Sequence, residues 1–526
     1  MTSRLSQMPA SALLAVCALM PSVLPGCGGG GGASDASDPS VNVAGPAIVS
    51  PGSGQEQIAS VSIKPSPTTS TAPATCDASP VAPSLPSNAI NVATFGAVPN
   101  DGMDDSDAIQ RAFSSLKPGQ WLYFPPGQYD HARSLNLRVP DVTLWGYGAT
   151  LNGTTPADQS LIVRADRDRV YGFTFNATTD FRRTEIGSAR LVSDGRENPI
   201  GYNSGVVLQD NKIVPATLVA NTSRSNSASS AGIFIYASRY FTVANNIVSR
   251  SLADGIHITG GSRSGRVIGN TVTETGDDMI AVVTYMPPTW RINATSDSTW
   301  VSNYLSEKRV QNILIKDNTV SGQYWGRGIA VVGGSSVTIQ GNHVSNATYG
   351  AGILIARENN YNTTGVENVV ISGNTVTAVQ TTAPNYLPAG GNFTQLLTNL
   401  SNGTTGQGGI EIYNTSPDTD PVDARLKPAI LIQKILIKGN SIDNTLGDGI
   451  RVARFSPRGS IEDISINNNG LSSIGKLPIS GYFTDNSLPQ ASCSGNQLSG
   501  HGVTSPICSS SIQTSATGAT LDCSKF

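Results

Sequence analysis

Two short phrases alternate in the stretch Gly328-Ile329-Ala330-Val331, Asn342-His343-Val344 and Gly352-Ile353-Leu354-Ile355. Both recur along the chain with a spacing of about 24 residues, which insertions interrupt at several points. The first phrase, Gly-Ile-x-Ile/Val, begins at Gly232, Gly255, Gly328, Gly352, Gly409 and Gly449. The second phrase, Asn-x-Val/Ile, begins at Asn246, Asn270, Asn318, Asn342, Asn374 and Asn440. A repeat of this length indicates a solenoid of stacked units.

Each repeat contains a few short strands with apolar residues at alternate positions, separated by Gly or Asn turns. Stacking buries the Ile and Val columns, and the recurrent Asn can form hydrogen bonds from coil to coil. The helical segments of a doubly wound α/β fold are missing between the strands. We therefore predict an all-β protein, a single-stranded right-handed parallel β-helix over residues 88–480. An amphipathic pattern at residues 104–113 predicts a short N-terminal capping helix.

The beginning of the chain resembles a bacterial lipoprotein signal. The apolar run at residues 12–20 is too short to span a bilayer, and Leu24-Pro25-Gly26-Cys27 resembles a lipobox. We predict a signal peptide over residues 1–27 with lipidation of Cys27; an ordinary cleaved signal is the alternative. Residues 28–87 are rich in Gly, Ser, Pro and Ala and are predicted to be a disordered tether. The expected location is the bacterial outer membrane, with the lipid as the only membrane contact.

Four cysteines lie outside the signal: Cys76, Cys493, Cys508 and Cys523. An even number in an oxidising compartment predicts two disulfides. We favour the pairs Cys493–Cys508 and Cys76–Cys523, and the other two pairings stay open. Residues 481–526 are predicted to be a C-terminal cap that holds these disulfides. The spacing of Cys and His residues does not indicate a zinc site.

Three aspartates occupy the same point of two neighbouring repeats, in a chain with a net charge of −3 and only 13% charged residues. This balance does not indicate a basic surface for nucleic acid. Asp254 precedes one glycine phrase, and Asp277 and Asp278 precede the corresponding phrase of the next repeat. Coils of stacked strands lie about 4.8 Å apart, so the three carboxylates should be close together. Such crowding raises the pKa of at least one carboxyl, as a general acid for glycosidic bond cleavage requires.

Period-2 alternation sends further side chains outward on the same face. His257 follows Asp254 on this face and is a candidate substrate-binding residue. Glu411 and Arg451 occupy the equivalent outward positions of later repeats and are predicted to be ordinary solvent-facing residues.

Aromatic residues cluster near the aspartates along the chain. Trp290 and Trp300 lie in the insertion between Asn270 and Asn318, and Trp325 follows it. Binding residues concentrate in loops on rigid scaffolds, and sugar rings stack on aromatic faces. We predict that the three tryptophans wall a substrate cleft; packing of the insertion against the solenoid is the alternative.

The order of elements at the start of the repeat resembles the N-terminal cap of pectin-lyase-like β-helix proteins. Residues 91–97 lead into the capping helix at 104–113, followed by the segments 123–129 and 142–149. The resemblance covers residues 88–480 and is specific for the fold, since this superfamily hosts several chemistries.

Within that superfamily, the motifs are most similar to those of polygalacturonase-type (family 28) glycoside hydrolases. These enzymes carry Asn-Thr-Asp, Gly/Gln-Asp-Asp, Gly-His-Gly and Arg-Ile-Lys. Gly276-Asp277-Asp278 matches the second motif fully, whereas Asp254 matches only the Asp of the first. Gly326-Arg327-Gly328 has Arg in place of His, and Arg357 lies near the fourth motif without its Lys.

The resemblance implies inverting hydrolysis of a polysaccharide. Asp277 would be the general acid, Asp254 and Asp278 would activate water, and Arg327 and Arg357 would hold the sugar. A monomer without a cofactor is then expected. Because Arg327 replaces His, a lyase or C5-epimerase that uses Arg as a base, with calcium possible, is one alternative. A non-catalytic glycan-binding solenoid is the other.

Overall fold

The computed structural model describes most of the chain after the predicted tether. The described ranges are 76–155, 159–177, 190–214, 231–251, 253–323, 326–381, 407–416, 426–455, 460–483, 491–509 and 515–526. The predicted signal peptide, the lipidation site Cys27 and residues 28–75 of the predicted tether lie outside these ranges, and so does Trp325.

Three sheets, named A, B and C here, run the length of the solenoid, and each coil contributes strands in the order A, B, C. Sheet A consists of Ile90–Asn91, Trp121–Tyr123, Thr143–Trp145, Arg169–Tyr171, Asn203–Ser204, Val207–Gln209, Ser238–Arg239, Thr242–Ala244, Arg263–Ile268, Gln311–Lys316, Gly334–Gln340, Val366–Ser372, Ile432–Lys438, Ile461–Asn467 and Ala491–Ser494. Sheet B consists of Gly127–His131, Ala149–Gly153, Thr174–Ala177, Lys212–Ile213, Ile247–Ser249, Thr271–Thr273, Thr319–Gln323, His343–Ala347, Thr375–Val379, Ser441–Thr445, Gly470–Ile474, Gln497–Leu498 and His501–Gly502. Sheet C consists of Leu135–Leu137, Leu161–Val163, Leu191–Asp194, Ala231–Tyr236, Asp254–Thr259, Ile280–Val283, Ile329–Val332, Ile353–Arg357, Ile410–Asn414, Ile450–Arg454 and Ile479–Phe483. Strand pairing is parallel except at the last pair of sheet B, so the predicted right-handed parallel β-helix is confirmed.

Helices are few in the described part of the chain. They are α1 (Ser106–Ser115), α2 (Trp290–Ser296), α3 (Trp300–Lys308) and α4 (Lys427–Ile430), with 3₁₀ turns at Val92–Phe95, Asn359–Tyr361 and Cys523–Lys525. Helix α1 confirms the predicted capping helix, because it buries Ile109 and Phe113 against the first coils. None of the described helices is both long and apolar enough to cross a membrane.

The apolar columns of the repeat form the interior of the solenoid. In sheet C, one column of isoleucines continues from coil to coil in register, and each member is fully buried: Ile256, Ile280, Ile329, Ile353, Ile410 and Ile450. The matching columns in sheets A and B belong to the same core. The period-2 alternation therefore predicted the inward-facing residues of sheet C correctly.

The recurrent asparagines form a buried ladder at the corner that precedes sheet B. The side-chain oxygen of Asn318 accepts hydrogen bonds from the backbone N and from Nδ2 of Asn270, both at 2.9 Å. Nδ2 of Asn318 in turn donates to the carbonyl oxygen of Val267 at 2.9 Å and to Asn342 at 2.9 Å. The same pattern is repeated at Asn211, Asn246, Asn270, Asn342, Asn374, Asn440 and Asn469.

The glycine of the first phrase is required by close packing at the turn into sheet C. A Cβ at Gly352 would lie 2.8 Å from the carbonyl oxygen of Gly409 and would overlap the side chain of Val376. Met279 occupies the glycine slot of its coil and places its side chain in the core instead.

Both predicted disulfides are present, as Cys76–Cys523 and Cys493–Cys508. The predicted boundaries of the tether and the cap need correction. Residues 76–87 lie against the solenoid: Asp77 pairs with Lys316 at 2.9 Å, and Gln209 donates a hydrogen bond to the carbonyl of Pro80 at 2.8 Å. The sheets also continue beyond residue 480, because coil strands at 491–494 and 497–498 extend sheets A and B.

The asparagine ladder predicts a large stability cost for the loss of one member. Replacing Asn318 with alanine leaves the buried N–H of Asn270 and the carbonyl of Val267 without their partners. Each such group costs about 1–3 kcal/mol, so we expect the free energy of unfolding to fall by about 2 kcal/mol or more. Urea unfolding followed by circular dichroism measures this. The control Asn303→Ala, on the exposed side of α3, should change it by less than about 0.5 kcal/mol; equal stability of the two variants would contradict the role of the ladder.

Candidate active site

The three predicted aspartates meet at the edge of sheet C. Asp254 opens the strand Asp254–Thr259, and Asp277 and Asp278 immediately precede the neighbouring strand Ile280–Val283. Backbone hydrogen bonds join the two coils here, from Gly255 N to the carbonyl of Asp278 at 3.0 Å and from Asp277 N to the carbonyl of Ala253 at 3.1 Å. One carboxylate oxygen of each aspartate lies within 4.8 Å of the other two. The predicted proximity of the carboxylates is confirmed.

Arg327 joins this cluster to a fourth carboxylate. Its backbone N donates to Oδ1 of Asp278 at 2.7 Å, and its Nε lies 3.2 Å from the same oxygen. Nη2 donates to Oε1 of Glu358 at 3.0 Å. Gly326 allows this approach, since a Cβ there would lie 2.5 Å from Oδ1 of Asp278. Glu358 was not among the predicted site residues; its position directly after Arg357, at the end of a sheet C strand, is the signal that could have identified it.

The electrostatics of the site single out Asp278. Burial and the neighbouring carboxylates of Asp277, Asp254 and Glu358 raise the pKa of Asp278 well above its usual value, although Arg327 acts in the opposite direction. Asp278 is only 6% exposed, so water screens these charges weakly. Asp278 is therefore a carboxyl that we expect to keep its proton to a higher pH than an ordinary aspartate does.

His257 contacts the cluster but does not face a substrate. Its Nδ1 lies in contact with Oδ2 of Asp254, and the residue is 2% exposed. The ring is stacked between Phe234, at a centroid distance of 5.1 Å, and Tyr285, at 6.4 Å. The predicted outward direction is correct, but the predicted substrate contact is wrong, because aromatic neighbours cover both faces of the ring. His257 instead contacts the carboxylate of Asp254.

Two other predicted substrate-binding residues are fully buried. Trp290 lies in an apolar cluster with residues of α2, α3 and α4. Arg357 donates from Nη1 to Oδ1 of Asn359 at 3.2 Å and lies 5.9 Å from the centroid of the Trp290 ring. The predicted direct contacts of Trp290 and Arg357 with sugar are therefore wrong in this structure, because the helical insertion packs on sheet C and covers both.

Trp300 differs from Trp290 in keeping part of its surface open. Its ring stacks on that of Tyr304 at a centroid distance of 4.9 Å, and the Tyr304 hydroxyl donates to the carbonyl of Tyr285. Tyr285 in turn lies beside His257. A role of Trp300 in sugar binding stays a prediction.

The three aspartates of the cluster form a group of carboxylates that could hold a metal ion, and two of their oxygens are engaged by basic side chains. Ca²⁺ takes about six to eight oxygen ligands, and three carboxylates supply part of such a set. Oδ1 of Asp278, however, is held by Arg327, and Oδ2 of Asp254 is in contact with His257. A guanidinium and an imidazole thus contact one oxygen of each of these two aspartates, and we derive no step from a bound metal.

Comparison with solved structures shows β-helices of low sequence identity. The catalytic unit of the thermostable GH87 α-1,3-glucanase from Streptomyces thermodiastaticus strain HF3-3 is 15% identical, with 85% of this chain and 72% of that chain covered and a TM-score of 0.48. The A-module of the Azotobacter vinelandii mannuronan C-5 epimerase AlgE4 is 13% identical, with coverages of 82% and 100% and a TM-score of 0.40. The Streptococcus pneumoniae surface protein and adhesin PfbA is 14% identical, with coverages of 78% and 100% and a TM-score of 0.44.

No curated protein sequence matches the chain. A family match, in contrast, covers residues 89–359, which is more than half of the 526 residues and includes the whole aspartate cluster, Arg327 and Glu358. It confirms the resemblance to pectin-lyase-like proteins that the start of the repeat indicated. The chain belongs to the family described as Rhamnogalacturonase A/epimerase, pectate lyase-like.

Proposed function

We propose that this protein is an enzyme that hydrolyses glycosidic bonds in a polysaccharide, with the aspartate cluster of sheet C as its active site. The observation that carries the proposal is Asp278, a buried carboxyl with a raised pKa inside a cluster of carboxylates. Strongly perturbed acids of this kind concentrate at catalytic sites. The family description, which names enzymes that act on polysaccharides, supports the substrate class.

The geometry assigns different roles to two of the aspartates. Protonated Asp278 donates its proton to the leaving glycosidic oxygen, which develops negative charge as the bond breaks. Asp254, oriented by the contact between its Oδ2 and His257, provides the second carboxylate that the reaction needs. The sequence resemblance gave the acid role to Asp277; the raised pKa of Asp278 favours Asp278 for it.

The nearest oxygens of the three aspartates are closer together than the carboxyl groups of typical inverting enzymes. Inverting enzymes leave room for a water between carboxyl groups about 6.5–9.5 Å apart, whereas retaining enzymes keep them about 5–5.5 Å apart. One oxygen from each of the three aspartates lies within 4.8 Å of the others. We therefore propose hydrolysis and do not assign inversion or retention to it.

The ion pairs of Arg327 argue against its use as a base. A lyase or epimerase of the predicted kind needs an arginine that can give up its proton. Burial disfavours the charged guanidinium, but the carboxylates of Asp278, Glu358 and Asp277 outweigh this effect and raise the pKa of Arg327 above its usual value; Glu358 and Asp277 keep this influence when Asp278 holds its proton. Arg327 is thus held in its charged form, in which it cannot accept a proton from C5 of a uronate.

Export from the cytosol is supported by the two disulfides, which persist in oxidising compartments. We propose that the chain is anchored at the bacterial outer membrane through a lipid on Cys27, as the sequence predicts.

Asp278→Asn should abolish hydrolysis, because the amide cannot donate the proton. Loss of general acid catalysis lowers the rate by about 10²–10⁴-fold. The assay incubates the protein with polygalacturonate, rhamnogalacturonan, alginate and α-1,3-glucan, and measures new reducing ends and the absorbance of unsaturated sugars. Asp443→Asn is the matched control, since Asp443 is a half-buried aspartate of sheet B bonded to Ser472.

Reducing ends without absorbance support hydrolysis, whereas absorbance indicates elimination and exchange of the C5 hydrogen indicates epimerisation. Full activity of Asp278→Asn, with a wild-type circular dichroism spectrum, would exclude Asp278 as the acid.

Arg327→Met should move the alkaline limb of the activity profile to higher pH. The protonated form of Asp278 is the active one, so activity is present below its pKa and is lost as the pH rises through it. Arg327 favours the carboxylate and lowers this pKa; without Arg327 the pKa rises, and the limb moves up by about one pH unit or more. The profile of kcat/KM against pH measures the shift. Arg250→Met, which removes the Arg250–Glu274 pair at the surface, should leave the limb in place; a limb that is unchanged or lower in Arg327→Met would contradict the assignment.

A further inference from the structure

A second charged pair lies on the outer face of sheet C, away from the aspartate cluster. Glu411 is fully buried, and its Oε2 accepts a hydrogen bond from Gly408 N at 2.9 Å. Its Oε1 lies 3.7 Å from Nε of Arg451, too far for a hydrogen bond, and makes none with any residue in the described ranges. Both residues were predicted to be ordinary solvent-facing residues. That prediction is wrong, since Arg451 is only 8% exposed.

An incompletely bonded ion pair is costly at such a buried position. Removal of two charges from water costs several kcal/mol, which good geometry and further hydrogen bonds must offset. Here the oxygen of Glu411 is left unsatisfied, and the contacts of the Arg451 guanidinium with described residues are this long ion pair and two aromatic rings. A buried polar group without its partner calls for an explanation, and a ligand that completes the set is one.

Three aromatic rings, Tyr413, Phe455 and Tyr482, adjoin the pair and are named the distal aromatic cluster here. The ring centroids of Tyr413 and Phe455 are 4.9 Å apart, and those of Phe455 and Tyr482 are 5.2 Å apart. The Arg451 guanidinium lies 5.5 Å from the centroid of Tyr482, which is 40% exposed. A partly exposed ring therefore stands beside a guanidinium whose charge is weakly compensated.

The distal aromatic cluster and the aspartate cluster lie along one path on sheet C. Strand pairing continues in register through one outward column, from Ala281 through Ala330 and Leu354 to Glu411 and then Arg451. At about 4.8 Å a coil, Glu411 lies about 14 Å and Arg451 about 19 Å from Ala281. Both sites therefore lie on the outer side of the same sheet, four coils apart, although the side chains of Ala330 and Leu354 between them are buried.

We propose that Arg451 and Tyr482 form a distal subsite that binds an acidic sugar residue of the polysaccharide. The planar guanidinium can donate two parallel hydrogen bonds to a sugar carboxylate, and the exposed ring of Tyr482 offers a face for stacking. This inference rests on the proposed function, because it takes the same polymer as ligand. The subsite adds the prediction that the substrate is negatively charged, which the aspartate cluster alone does not define.

The state of Glu411 is consistent with an acidic ligand. Burial raises the pKa of Glu411 to about 8, against the lowering effect of Arg451. Glu411 therefore compensates the charge of Arg451 less than an ordinary carboxylate would, and the guanidinium stays available to the carboxylate of a sugar.

The test measures binding separately from cleavage. Native electrophoresis of the full chain is run in gels that contain polygalacturonate, alginate or neutral dextran, for the wild type, Arg451→Met and Tyr482→Ala. We expect a uronate polymer, but not dextran, to retard the wild type. Each substitution should weaken the apparent affinity by about tenfold or more, as the loss of a charged hydrogen bond or a stacking face predicts. Tyr147→Ala, a ring of similar exposure (37%) near sheet A, is the control and should behave like the wild type.

Three results would overturn the subsite: no retardation of the wild type by either uronate polymer, equal retardation by dextran, or unchanged retardation of both variants. Tyr482→Ala removes only a partly exposed ring, so it keeps the test decisive if Arg451→Met fails to fold. Failure of the proposed function gives a different result. If the wild type releases no reducing ends but is retarded by a uronate polymer, and the two variants lose this retardation, then hydrolysis is refuted and the subsite is supported.

Discussion

The buried asparagine ladder is the interaction on which the rest of the structure depends. Each side-chain oxygen accepts two hydrogen bonds from the asparagine of the preceding coil, so the ladder fixes the register of neighbouring coils at one corner. Residues at the same separation after each ladder asparagine must then align. Asp254 follows Asn246 and Asp278 follows Asn270 at the same separation, which brings the two carboxylates together. The candidate active site is thus a consequence of the register, and a slip by one residue would turn every side chain to the other face of its sheet.

Arg327, at the position where the polygalacturonase-type motif has His, sets the charge balance of the candidate site. A neutral histidine would leave Asp278 among carboxylates alone, whereas Arg327 binds Asp278 and Glu358 at once. The guanidinium holds Glu358 near the cluster and offsets part of the repulsion between the acids. Glu358 is therefore part of the same electrostatic unit as Asp278, and the arginine has a role that neither a histidine nor a catalytic base would fill.

The sequence predicted the side chains inside the solenoid better than those on its outer faces. The Ile columns, the ladder, the capping helix and the meeting of Asp254 with Asp278 follow from periodicities of two residues and of one coil. Periodicity sets only the direction of a side chain and not what covers it. His257 points outward as predicted, yet the rings of Phe234 and Tyr285 enclose it. Trp290 and Arg357 are buried for a related reason, because the fold of an insertion depends on contacts that no repeat encodes.

The burial of charged side chains on the outer face of sheet C is informative, because the hydrophobic core of the solenoid does not include them. The interior column of isoleucines already supplies the core, so a charge such as Glu411 could have remained in water at no cost to the fold. Glu411 and Arg451 instead lie out of solvent at 3.7 Å from each other, in the same outward column that passes the aspartate cluster. Buried ionisable groups at two points of one face, each with aromatic rings beside it, are consistent with the proposed extended ligand that contacts both.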